Sequence, residues 1–70
     1  MSNFKKITGK RIAKERKLQE LSQEELAELS GLQRTYIGVV ERGEISVGIE
    51  NLKKISDALK IPLTKLFENY

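Results

Sequence analysis

Apolar residues recur along the chain at the three- and four-residue spacing of amphipathic helices. Two short apolar runs, at residues 39–40 and 45–47, have strand propensity, but neither leaves room for a partner strand. We therefore expect an all-α protein, a compact five-helix bundle. The five predicted helices cover about residues 4–18, 23–30, 33–42, 49–60 and 62–68.

The ends of the predicted helices carry specific start and stop residues. Ser22 stands at an N-cap position and Glu25 follows three residues later, so the two can form a capping box, in which each side chain binds the other residue's backbone N–H. Gly31 fits the left-handed position that ends a helix, and Gly43 ends the next one. Pro62 has the φ of a first helical position and predicts the start of the last helix.

Residues 21–43 therefore consist of two short helices joined by a turn that contains glycine. This arrangement is the helix-turn-helix unit, which docks on DNA with its second helix in the major groove. That second helix begins with Gln33, Arg34 and Thr35, whose side chains can hydrogen-bond the edges of bases. The pattern predicts a DNA-reading function.

Length limits the chain to one small domain, because 70 residues bury too little surface for a second core or a large catalytic cavity. A membrane span is not expected either. The chain has no cysteine, which removes disulfides and thiolate metal sites. It also has no histidine, the commonest general base and metal ligand. We expect no catalytic residue, no metal and no cofactor. No apolar stretch near the N-terminus is long enough for a signal peptide, so we expect a cytoplasmic protein.

Charge is segregated along the chain, although the net charge is only +3. Residues 1–17 hold seven Lys or Arg and one Glu, whereas residues 18–33 hold four Glu and no basic residue. The basic first helix can lie along DNA phosphates, with the acidic second helix facing away. For Lys5, Lys6 and Lys10 taken singly, an ordinary solvated helix end is the alternative.

Several motifs, in their order and spacing, resemble those of a known family, the helix-turn-helix regulators of the phage-repressor and Cro class. The motifs are LSQEELA at residues 21–27, GLxRxYI at 31–37, ERG at 41–43 and NLxKIxxALxIPLxxLF at 51–67. The resemblance implies a lambda-repressor-like DNA-binding domain. Residues 32–37 and 40–43 are most similar to the controller proteins of restriction–modification systems, which are small dimers that bind palindromic operators and control their own operon.

The resemblance also implies roles for individual residues. Those at positions that meet base edges are Gln33, Arg34, Thr35 and Val39. Those at positions that contact the DNA backbone are Gln23, Tyr36, Arg42 and Ser46. Arg16 and Glu41 match a buried structural ion pair that ties the first helix to the end of the third.

A homodimer is expected because one recognition helix reads only about four or five base pairs, at roughly 1–3 kcal/mol each, too little to outcompete non-specific sites. Two recognition helices about 34 Å apart would read two half-sites. The C-terminal segment has more apolar side chains than so small a core is expected to bury, which predicts a dimerisation helix at the end of a single domain, residues 1–70. The predicted interface residues are Val47, Ile61, Leu63, Leu66 and Phe67.

Some positions leave alternatives open or depart from the family pattern. Tyr36 can pack against the core instead of contacting DNA, and Val39 can belong to the core. Gly38 weakens its helix and indicates either a close backbone approach or a permissive position. Glu20 stands where the family usually has glycine, so we expect the first helix to end differently, without a left-handed residue. Gly48 replaces the usual Ser or Thr cap of the fourth helix.

The function predicted from these features is a sequence-specific transcriptional regulator that binds double-stranded DNA as a homodimer, of the controller type. An antitoxin of a toxin–antitoxin pair is an alternative, although antitoxins generally carry an extra segment that wraps the toxin. A phage-type repressor is another. An enzyme is not expected because only scattered carboxylates are present, and nothing indicates a membrane or a small-molecule ligand.

Overall fold

The computed structural model describes residues 3–67, which form four α-helices and one short 3-10 helix with no strand among them. The α-helices are α1 (Phe4–Leu18), α2 (Gln23–Ser30), α3 (Arg34–Glu41) and α4 (Ile49–Leu59). No helix in this part of the chain is long and apolar enough to cross a membrane. Because residues 3–67 form helices and no strand, the prediction of an all-α fold is confirmed.

The predicted fifth α-helix is wrong. Pro62 has an extended conformation and precedes a four-residue 3-10 helix, Leu63–Leu66. Its backbone bonds join residues three apart, Lys65 N–H to Pro62 O (3.0 Å) and Phe67 N–H to Thr64 O (2.9 Å), so the turn is tighter than an α-helix. Residue 68, the predicted end of this element, lies outside the described residues.

The predicted boundaries of α2 are confirmed together with the interactions that set them. The Glu25 N–H donates to Ser22 Oγ (2.9 Å), and the Ser22 N–H donates to Glu25 Oε1 (2.8 Å), which completes the capping box. At the other end Gly31 has φ +73°, in the left-handed region where a residue without Cβ meets no steric penalty.

The end of α1 does not follow the expectation drawn from Glu20. This residue has φ +59°, so it adopts the left-handed conformation that a glycine would have supplied. The Leu21 N–H donates to Arg16 O (3.1 Å) and the Glu20 N–H to Lys17 O (2.9 Å), the bond pair of a Schellman motif. Because Leu21 also packs against the core, tertiary contacts hold Glu20 in a conformation that its side chain disfavours.

One core joins all five elements. α1 packs on α3, α2 packs on α3 and α4, and the 3-10 helix packs on α4 and α1. The buried apolar side chains are Ile12, Leu26, Ala27, Ile37, Val40, Leu52, Ile55, Leu59 and Leu66. Leu66, predicted to lie at a dimer interface, is fully buried within the monomer, because the 3-10 helix turns it toward α4.

α1 crosses the C-terminal end of α3 at very short range. A Cβ built on Gly9 would lie 2.3 Å from the backbone oxygen of Val40 and 2.8 Å from that of Glu41. Gly9 therefore allows the two helices to pack closely, a role that outweighs the weakening of α1 that glycine brings.

Candidate nucleic-acid interface

The N-terminal end of α3 presents the polar side chains that the sequence places there. Gln33 is the N-cap residue, and Gln33, Arg34 and Thr35 are all exposed, whereas Ile37 and Val40 are buried on the opposite side. An arginine can bind guanine O6 and N7 with two parallel bonds, and a threonine methyl can contact thymine. The structure thus brings three of the four predicted base-reading residues to one exposed helix end. Val39 is half-buried.

The C-terminal end of α3 is held by a buried ion pair. Arg16 Nε donates to Glu41 Oε2 (2.7 Å) and Arg16 Nη2 donates to Glu41 Oε1 (3.0 Å), so the pair expected from the resemblance is present and bidentate. Arg16 Nη1 also donates to Leu21 O (2.7 Å). Hydrogen bonding to Glu41 raises the pKa of the Arg16 guanidinium, against the opposing effect of burial. α1 is therefore clamped to the last residue of α3.

Gln23 belongs to the same network, which the sequence did not indicate. Its Nε2 donates to Glu41 Oε1 (2.9 Å), so Glu41 accepts from residues of both α1 and α2. Gln23 is the first residue of α2, where helix N-terminal N–H groups favour an anion. The phosphate contact predicted for Gln23 thus coincides with a link that fixes α2 against α3.

Arg42, the C-cap residue of α3, forms an ion pair with Glu44 and lies close to Gly38. Its Nε donates to Glu44 Oε2 (2.8 Å), and this hydrogen bond lowers the pKa of the Glu44 carboxyl. The carboxylate therefore stays ionised, and the pair formed, until the pH falls through that lowered pKa. A Cβ on the buried Gly38 would lie 3.2 Å from Arg42 Nη1, so the neighbour that crowds Gly38 is a side chain and not a backbone.

Tyr36 is half-buried, so part of its side chain packs against the core and part remains accessible. Its hydroxyl accepts a hydrogen bond from Asn51 Nδ2 of α4 (3.1 Å). Asn51 was not identified from the sequence, because a single polar residue on a helix gives no signal of its partner. Ser46, the remaining predicted backbone contact, is exposed in the loop between α3 and α4.

The residues predicted for the dimer interface separate into two groups. Val47, Ile61, Leu63 and Phe67 are half-buried, whereas Leu66 belongs to the core. The ring of Phe67 stacks on that of Phe4, with centroids 6.4 Å apart.

One exposed apolar residue, at the start of α4, lies beside Leu63 of this group. Ile49 is 61% exposed. With Leu63 it lines a shallow groove of about 480 Å³, whose other lining residues are Glu50, Lys53 and Lys54. Ile49 continues the apolar spacing of Leu52 and Ile55, but it is the first residue of α4 and is not among the buried residues of that helix.

Comparison with known proteins gives consistent matches along the chain. A family model described as helix-turn-helix matches residues 12–66. The control protein C.SmaI of Serratia marcescens is 44% identical over 64 residues, which are 91% of this chain and 76% of that protein. The control protein C.MunI of a Mycoplasma species is 40% identical over 70 residues, 99% of this chain and 95% of that protein.

A solved structure shares both the fold and the sequence similarity. The restriction-modification controller protein C.AhdI of Aeromonas hydrophila superposes with a TM-score of 0.87 at 45% identity, covering 89% of this chain and 94% of that one. All three proteins are named control or controller proteins, in agreement with the expectation that the chain is not an enzyme.

Proposed function

This chain belongs to the helix-turn-helix family, and from that premise we propose that it is a controller protein of a restriction–modification system. In this role it binds a palindromic operator in double-stranded DNA and regulates transcription of its own operon. It works in the cytoplasm, where that DNA lies. The similarity to C.SmaI, C.MunI and C.AhdI over most of each chain supports this assignment.

The observation that carries the proposal is the exposed N-terminal end of α3. Arg34 and Thr35 project there from a helix whose other face is fixed by the core and by the pair between Arg16 and Glu41. A rigidly held helix end with polar side chains is what reading base edges in the major groove requires. We assign base contacts to Gln33, Arg34, Thr35 and Val39, and backbone contacts to Gln23, Tyr36, Arg42 and Ser46.

The proposed regulator acts as a homodimer, since two recognition helices are needed to read a palindrome. We place the interface on Ile49 and on four half-buried residues of the original set, Val47, Ile61, Leu63 and Phe67. The exposure of Ile49 and its groove with Leu63 support this location. Leu66 is left out because its side chain is fully buried in the core.

The experiment compares Arg34→Ala with Gln23→Ala on the DNA upstream of the gene and on a random duplex. Footprinting first locates the operator, and equilibrium binding then gives affinities at one fixed salt concentration. Arg34→Ala should cost on the order of 1–3 kcal/mol on the operator and relax one base position, because a specific base contact is lost. Gln23→Ala should weaken binding to both duplexes similarly, because a phosphate contact carries no sequence information.

Lys65→Ala is the matched control for charge, since this exposed lysine lies in the 3-10 helix. It should leave the preference for the operator unchanged. Thermal unfolding of Gln23→Ala accompanies the binding data, because this variant also loses the bond to Glu41. Equal losses on operator and random DNA for Arg34→Ala would contradict the proposed reading surface.

A further inference from the structure

A second groove, of about 590 Å³, runs along the exposed side of α1. Its lining residues are Lys10, Ala13, Lys14, Lys17, Leu18 and Glu41. Lys10, Lys14 and Lys17 are spaced by four and three residues, so they share one helix face. At 1.5 Å of rise per residue their seven-residue span is about 10 Å long. We call these three residues the α1 lysine strip.

The charges of the α1 lysine strip are not neutralised within the protein. All three side chains are exposed, and none pairs with a carboxylate in residues 3–67. By contrast, Lys53 is bonded to Asp57 at 2.6 Å, and Arg16 and Arg42 are paired as well. Like charges three or four residues apart destabilise a helix, so the strip would be stabilised by a polyanion that contacts all three ammonium groups.

The groove adjoins the candidate nucleic-acid interface. Glu41, one of its lining residues, is the last residue of α3. The same Glu41 accepts a hydrogen bond from Gln23, the first residue of α2 and the proposed phosphate contact. The groove that contains the α1 lysine strip therefore shares Glu41 with the network that holds Gln23.

We propose that the α1 lysine strip binds the phosphate backbone of DNA and extends the operator contact beyond the recognition helix. The proposal rests on the proposed function. Each strand of duplex DNA carries a phosphate about every 3.4 Å of its axis, so a strip about 10 Å long spans about three phosphates. Ammonium groups on flexible stems contact phosphates as point charges, without base preference.

The residues that line the groove favour nucleic acid, and not an acidic protein segment, as its occupant. Three lysines line the groove, whereas its one large exposed apolar side chain is Leu18, at the end of α1. A protein segment would need a larger apolar patch to bind stably. The aliphatic stems of the lysines can cover Ala13 and Leu18 while their ammonium groups reach the phosphates.

The test is a triple variant, Lys10→Gln, Lys14→Gln and Lys17→Gln, in the full chain. Its control removes charge elsewhere, through Lys60→Gln and Lys65→Gln, both exposed after α4, because Lys53 and Lys54 line the groove proposed for the dimer contact. Binding to a duplex containing the gene's upstream DNA and to a random duplex is measured by fluorescence anisotropy over a series of salt concentrations. Circular dichroism verifies that both variants keep the helical fold.

The α1 variant should lose affinity for both duplexes by a similar factor. The negative slope of log affinity of the dimer against log salt should become shallower by about 5, since each of the six phosphate contacts, three from each protomer, contributes about 0.9. The control variant should change the slope by less than about 1. An unchanged slope in the α1 variant, or an equal change in the control, would overturn the proposal.

Three further outcomes test this inference, and the last two separate it from the proposed function. A changed sedimentation mass of the α1 variant with an unchanged salt slope would make the groove a protein contact and overturn the inference. If Arg34→Ala abolishes operator preference while the α1 variant binds normally, the inference fails and the proposed function stands. If the wild-type protein shows no preference for upstream DNA but the strip still sets the salt slope, the proposed function fails and the strip remains a phosphate-binding surface.

Discussion

At the scale of single residues, the described helices end in a common way. In each of the four, one residue with positive φ follows the helix, namely Glu20, Gly31, Gly43 or Lys60. In each, the next N–H bonds back to the carbonyl five residues earlier, as Leu32 N–H does to Ala27 O (3.0 Å) and Ile61 N–H to Ser56 O (3.0 Å). Two of these residues, Glu20 and Lys60, are not glycine, and for such residues the left-handed conformation costs roughly 1–2 kcal/mol.

Glu20→Gly should therefore stabilise the protein. Glycine adopts φ near +60° without a steric penalty, so the free energy of unfolding should rise by about 1 kcal/mol, reduced somewhat by the greater freedom of glycine in the unfolded chain. Urea denaturation measures the change. Glu20→Gln, which removes the charge but keeps Cβ, is the control and should show no such gain. A Glu20→Gly variant less stable than the wild type would refute the strain argument.

At the scale of elements, α1 is fixed to α3 by a close approach and a buried ion pair. Gly9 allows the backbones to meet, and Arg16 binds the Glu41 carboxylate at 2.7 Å. The two partner side chains are only 10% and 5% exposed, so removal of either would leave a buried charge unpaired. The C-terminal end of α3 is thus positioned by α1, while its N-terminal end remains exposed.

Gly9→Ala tests this packing directly. The added methyl group would lie 2.3 Å from a backbone oxygen that cannot rotate away, so the helices must separate. We expect a loss of about 1–3 kcal/mol in the free energy of unfolding, as for other overpacked sites, although alanine favours helix formation. Lys14→Ala, at an exposed position of the same helix, should stay within about 0.5 kcal/mol of wild type. Equal stability of Gly9→Ala and wild type would contradict the close approach.

At the scale of the whole molecule, the proposed operator binding depends on how two copies meet. Their recognition helices must lie about one DNA turn, roughly 34 Å, apart to read a palindrome. A patch formed by Ile49 and Leu63, on the α4 side of the molecule, is the apolar surface proposed for that contact. Leu66 is not part of this patch, because its side chain is fully buried in the core of the monomer.

Ile49→Glu should shift the protein toward the monomer, because a charge would replace an apolar side chain at the proposed interface. Sedimentation at micromolar concentration measures the mass, and operator affinity should fall with it. Leu29→Glu is the control, since Leu29 is similarly exposed, at 60%, but lies on α2. It should leave the mass unchanged. A dimer that persists in Ile49→Glu would remove this interface from the proposal.

Local signals located the helices well, because the capping box at Ser22 and the left-handed Gly31 depend only on neighbouring residues. Glu20 was misjudged because the backbone conformation there is set by the packing of Leu21 and not by local preference. Leu66 was misjudged because apolar residues of a short final segment look alike whether they face the core or a partner.

The exposed end of α3 was determined by sequence alone, since helix boundaries and apolar spacing fix which side chains share a face. The pair between Arg16 and Glu41 was expected only from the family resemblance. The tertiary structure decided the rest: that Gln23 joins that pair, that Tyr36 meets Asn51, and that the α1 lysine strip adjoins the surface of α2 and α3. Spacing along one helix specifies its faces, but which faces meet depends on how all the helices pack around one core.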